Sequence, residues 1–106
     1  MVEQRRAKRF EMQLPIRVVR SGTRACSACG TTRNLSSGGV YFSSDGRVSA
    51  GDAIEYTIEL HPSDSAPQIW LRCLGKVVRT QPAGSDENQF EVAATLERYE
   101  FVRTRE

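Results

Sequence analysis

Two short patterns in this chain gather side chains suited to holding an anion. The first is Arg5-Arg6-Ala7-Lys8-Arg9, four cations within five residues and an R-x-x-x-R spacing. A guanidinium is a planar fork of donors that matches a phosphate two bonds at a time, whereas a lysine ammonium is a point charge. Such a run serves either as a solvated arm or as a surface for a phosphate-bearing partner. The second is Asn34-Leu35-Ser36-Ser37-Gly38-Gly39, an N-x-S-x-x-G spacing. The Asn34 amide both donates and accepts, Ser36 offers a small hydroxyl, and Gly39 permits an approach that a Cβ would obstruct. Taken alone, the second pattern also describes a tight β-turn with Asn and Gly in their usual places.

The elements that must position these residues read as strands. Leu14, Ile16 and Val18 recur at a period of two, and Pro15 requires that strand to be an edge there or to start late. Ser21-Gly22-Thr23 is turn chemistry, and residues 26–33 are too small and polar to assign. Val40-Tyr41-Phe42 is a short β-rich run between Gly38-Gly39 and a turn at Ser43-Ser44-Asp45-Gly46. Ile54 to Leu60 alternates strictly and closes at His61-Pro62. Ile69 to Arg79 is a long β-rich segment with a bulge or bend expected at Gly75, residues 81–88 form a polar loop, and Phe90 to Leu96 is a last strand. Glu97 to Arg105 reads as a short terminal helix with Tyr99, Phe101 and Val102 as its apolar contacts. Six or so short strands with turn signals between them indicate an all-β chain, a barrel in preference to a sandwich.

A length of 106 residues makes one domain, with 39% hydrophobic and 26% charged residues. No apolar run approaches the roughly 20 residues of a membrane helix, and no secretory leader is evident, so a cytoplasmic protein without membrane insertion is expected. A net charge of +2 is small for a groove binder, and with no helix-turn-helix pattern it argues against duplex DNA. Three cysteines fit a reducing compartment. Cys26-Ser27-Ala28-Cys29 is at most half a zinc site, completed only by Cys73 and His61 on or near other elements, so no metal is expected. His61 and Asp86-Glu87 lie in turns or loops, and Trp70 belongs to core or rim packing. With no nucleophile–base pair and no complete metal set, the chain is not expected to be an enzyme or to carry a cofactor.

The two motifs together, in this order and separation and each just ahead of a strand, resemble the PilZ family. The likeness extends more loosely through Gly75-Lys76-Val77-Val78-Arg79 and the closing Phe90–Leu96 strand. It implies a six-stranded antiparallel β-barrel over residues 11–96, a mobile arginine loop over 1–10 and a short helix over 97–106. It also implies binding of the bacterial second messenger cyclic di-GMP by a small stand-alone receptor that signals to a downstream protein partner. Arg5, Arg9, Asn34, Ser36 and Gly39 are the residues it assigns to the ligand, with Arg6 and Gly38 in secondary positions. The chemistry agrees: guanine presents O6 and N7 to an arginine fork, the phosphodiesters attract the same groups, and Asn34 suits a guanine edge. Two alternatives are a ligand-free adaptor of the same family and a single-stranded nucleic-acid binder that stacks bases on Tyr41 and Phe42.

Overall fold

Burial alternates along nearly every strand of the chain. The computed structural model describes residues 13–60, 69–84 and 86–103. In chain order the strands are β1 Pro15–Ser21, β2 Arg24–Ser36, β3 Gly39–Ser44, β4 Ala53–Glu59, β5 Ile69–Ala83, β6 Asp86–Thr95 and β7 Arg98–Arg103. Every pairing is antiparallel. Neighbours run β4-β1-β2-β3-β6-β5, and β5 returns to β4, which closes a six-stranded barrel. Pro15 stands first in β1, where its missing N–H does least harm.

Inside lie Ile16, Val18, Val40, Phe42, Ile54, Tyr56, Ile58, Cys73, Val77 and Val92. The Phe42 and Tyr56 rings stack with centroids 6.1 Å apart. The Tyr56 hydroxyl donates to the Thr95 carbonyl at 2.9 Å, so the largest buried side chain leaves no polar atom unpaired.

The structure corrects the sequence reading at four places. The bulge expected at Gly75 falls at Val78 instead, and Gly75 keeps regular register with Ile54 on β4. No terminal helix forms: residues 98–103 are β7, which pairs with the first half of β5 outside the closed ring. Tyr99 and Phe101 lie opposite Cys73 and Leu71, while Glu100 and Val102 lie opposite Arg72 and Trp70. That is a period of two in a β-rich run, not a helical face, and residues 104–106 fall outside the described residues. The unassigned stretch 26–33 lies wholly within the 13-residue β2, where hydrogen bonds to β1 and β3 supply what its small side chains cannot. The expected polar loop 81–88 is instead a hairpin, because β5 runs on to Ala83 and β6 begins at Asp86. Gln81 and Pro82 are exposed there, which accounts for the polar composition of paired strands. The apolar pair Phe42 and Tyr41 splits as the pattern requires, Phe42 buried and Tyr41 half-buried.

Two buried acids give the barrel a pH dependence. Burial pushes the Cys73 thiol up to about 12 from 9.0, and burial likewise raises the Tyr56 phenol. In the unfolded chain both groups lose their protons first. Stability is therefore complete below about pH 9 and falls as pH rises toward 12. The urea midpoint should drop between about pH 8 and about pH 10.5, and Cys73→Ala should lessen the drop. A midpoint that stays constant over that range would contradict the assignment.

Candidate functional site

The second motif forms the turn between β2 and β3. Ser36 pairs with Gly39, and its Oγ accepts from the Gly38 N–H and donates to the Gly39 carbonyl, each at 3.3 Å. The Leu96 N–H donates to the Gly38 carbonyl at 3.1 Å, which ties the turn to the end of β6. A Cβ on Gly39 would stand 2.8 Å from the Ala94 carbonyl oxygen, so glycine is required there by the closeness of β6. The motif is thus a tight turn with its own internal bonds, and the same turn presents Asn34.

Two β-bulges decide which side chains reach the outside of this wall. Thr32 faces the core opposite Phe42, and regular alternation would turn Asn34 inward as well. Arg33 is inserted as an extra residue, so Asn34 pairs with Tyr41 on the outer face while Leu35 packs against the core. In β5, burial alternates from Leu71 to Val77, after which Val78 and Arg79 are both exposed. The bulge at Val78 sets Arg79 opposite Ala93 on the outer face. Tyr41 is also paired with Ala93. Asn34, Tyr41, Ala93 and Arg79 therefore form one row across β2, β3, β6 and β5.

The row borders an open cavity of about 580 Å³ lined by Asn34, Ser36, Gly38, Gly39, Tyr41 and Arg79 over a floor of Ala93 and Ala94. Among the described residues, no carboxylate lines it. A second cavity of about 610 Å³ lies on the outer face of β4, β5 and β7, walled by Glu55, Glu97 and Glu100 beside Arg72 and Arg98. Arg72 is bonded there to Glu55 at 3.0 Å and to Glu100 at 3.4 Å. Three carboxylates make that cavity a poor host for an anion. The motif cavity is the candidate site.

Beside it stands a charged cluster. The Tyr41 hydroxyl donates to Glu91, and Arg33 approaches the other Glu91 oxygen at 3.5 Å. The bond to Glu91, then burial and the Glu91 charge, hold the Tyr41 phenol above its usual range, while Arg33 and Arg79 pull the other way.

Of the residues singled out from the sequence, Asn34, Ser36, Gly38 and Gly39 meet at this cavity. Arg5, Arg6 and Arg9 lie outside the described residues. The described chain starts at Gln13, and its next residue is held to β2. The Leu14 N–H donates to Thr32 Oγ1 at 2.9 Å, and the Thr32 N–H donates to the Leu14 carbonyl at 2.9 Å. Sequence reasoning placed Arg79 in a looser stretch and gave it no role. The only available signal was the consecutive Val77-Val78 pair, which interrupts the alternation. Arg33 and Glu91 carried no signal, since a bulge depends on what the neighbouring strands allow.

The remaining candidates do not converge. Cys26 turns toward the core with Ala28, and Cys29 is exposed on the opposite face of β2. Among the described residues, no three His, Cys, Asp or Glu side chains are grouped to hold a metal. No described helix is long and apolar enough to cross a membrane.

Comparison with known proteins places this architecture. The inhibitor of motility from Bacillus subtilis (MotI/DgrA) superposes with a TM-score of 0.64 at 14% sequence identity, covering 92% of this chain and 44% of that one. The likeness is one of fold, and this chain spans less than half the length of that protein. No curated protein sequence matches the chain significantly. The family profile described as PilZ domain matches residues 3–101, nearly the whole sequence and both motifs within it. With the closed barrel and the motif turn in the same chain, the protein belongs to the PilZ domain family.

Proposed function

We propose that this PilZ domain binds cyclic di-GMP at the motif cavity and acts as a receptor, not as an enzyme, passing the signal to a protein partner. The observation that carries the reading is the cavity itself. Asn34, Ser36, Gly38 and Gly39 line it together with Arg79, and no described acid does. Its position favours the first motif as well. Leu14 is held against Thr32, two residues from Asn34. Arg9 stands five positions before Leu14, a span of about 17 Å when extended. Arg9 and Arg5 are thus within reach of a ligand resting on the β2–β3 turn. In this reading Asn34 meets a guanine edge, and Arg5, Arg9 and Arg79 take the phosphodiesters or stack on the bases. Binding would order the arginine segment and change the surface a partner meets. A single-stranded nucleic-acid binder is disfavoured, because Phe42 is buried and leaves Tyr41 without its neighbouring stacking platform.

Calorimetric titration with cyclic di-GMP, with GMP and cyclic di-AMP as controls, tests the reading. Micromolar or tighter affinity, about −8 kcal/mol or better, is expected for cyclic di-GMP alone. Absence of heat at about 100 μM ligand would favour the ligand-free adaptor instead.

A further inference from the structure

We propose that Arg33 is a phosphate ligand of the motif cavity, held on Glu91 until the phosphodiester takes the carboxylate's place. The inference rests on the reading of the cavity as the cyclic di-GMP site and adds a residue outside both motifs. Three observations lead to it. Arg33 is the inserted residue of the β2 bulge, directly before Asn34, and its side chain is 50% exposed. Its partner Glu91 is fixed from the other side by Tyr41, which itself lines the cavity. The Arg33–Glu91 separation of 3.5 Å is that of a loose ion pair whose arginine is half in solvent, and such a pair is worth little in free energy and easily exchanged.

The electrostatics give the exchange a direction. Glu91 sits two residues before Ala93 on the same face of β6, so its charge opposes a dianion on the Ala93–Ala94 floor. Among the described residues, the charged and titratable groups around the exchange are Arg33 on β2, Tyr41 on β3, Arg79 on β5 and Glu91 on β6. A phosphodiester offers the guanidinium the same two-oxygen face as the carboxylate. Transfer of Arg33 satisfies the incoming charge, while Tyr41 keeps Glu91 bonded and turned aside. Glu91 thereby sets the threshold for binding: it occupies the arginine and repels anions until a ligand of sufficient charge and fit displaces it.

The test is titration of cyclic di-GMP into wild type, Arg33→Gln, Glu91→Gln, the double variant and Arg98→Gln, each checked for folding by a circular-dichroism melt. Arg98 lies on β7, lines the other cavity and not this one, and controls for the loss of one positive charge outside the site. Arg33→Gln should weaken binding about tenfold, the loss of a charge-assisted bond. Glu91→Gln keeps an acceptor for Tyr41 and should tighten binding about threefold or more. In the Arg33→Gln background that gain should shrink below about twofold, because there is no arginine left to release. Arg98→Gln should stay within about twofold of wild type. Wild-type binding with Arg33→Gln unaffected, or with Glu91→Gln weaker than wild type, overturns this inference and leaves the cavity reading standing. No heat from wild type itself overturns both.

Discussion

Replacing Arg5 or Arg9 by lysine is expected to weaken cyclic di-GMP binding by on the order of 1–3 kcal/mol while the protein melts as before. Both substitutions keep the net charge at +2, so any loss reports the shape of the guanidinium and not the field around it. Lysine offers the O6–N7 pair of guanine no preorganised planar fork and cannot stack flat on a purine. Lys8→Gln removes a charge at the position between them and should cost less than about 1 kcal/mol, less still at high salt. Asn34→Ala belongs with the arginine substitutions and should lose about 1–3 kcal/mol of binding. Its side chain faces outward beside the cavity, so the fold should tolerate the change. Ser36→Ala is a less clean probe, because Ser36 Oγ also holds the turn through Gly38 and Gly39. It should lower the melting temperature as well as the affinity. Equal losses for Lys8→Gln, Arg5→Lys and Arg9→Lys would mean that charge alone explains binding and that the two arginines make no shaped contact.

A large effect on stability is expected at Gly75. A Cβ there would lie 1.8 Å from the Thr95 carbonyl oxygen and 2.7 Å from its carbon, and both are backbone atoms that cannot swing aside. The same oxygen accepts the buried Tyr56 hydroxyl at 2.9 Å, and the Lys76 N–H is bonded to Thr95 Oγ1 at 2.9 Å. Moving Thr95 away from β5 therefore disturbs the place where β6 gives way to β7 and leaves a core hydroxyl without its acceptor. Overpacking of about 1–3 kcal/mol and a broken buried hydrogen bond of similar size put Gly75→Ala at about 3–5 kcal/mol. For a domain of this size that is a fall of about 15 °C or more in Tm. Gly38 is the contrast, since a Cβ there meets nothing within 4 Å and its backbone lies outside the left-handed region. Gly38→Ala should stay within about 0.5 kcal/mol of wild type. Thermal melts of the two variants side by side decide the matter, and similar Tm values for both would refute the close approach at Gly75.

What the sequence by itself determined was whatever local chemistry enforces. Strict alternation at Ile54, Tyr56 and Ile58 specifies a half-buried strand in any fold that has an interior. Ser21-Gly22-Thr23 and the Asn34-to-Gly39 run specify turns, and the paired motifs identified the family and four residues of the cavity. Pairing between distant strands decided the rest. The small residues of β2 become a strand because β1 and β3 bond to both its edges. Arg98 to Arg103 becomes a strand because the first half of β5, beyond the reach of β6, offers an unpaired edge. The candidate site depended most on such pairing. One inserted residue reverses the facing of every side chain after it, so the bulges at Arg33 and Val78, not the identities of Asn34 and Arg79, turn those two outward. Inspection of β2 or β5 alone could not tell which residue would be inserted, because a bulge is a mismatch between two strands and exists only once they meet.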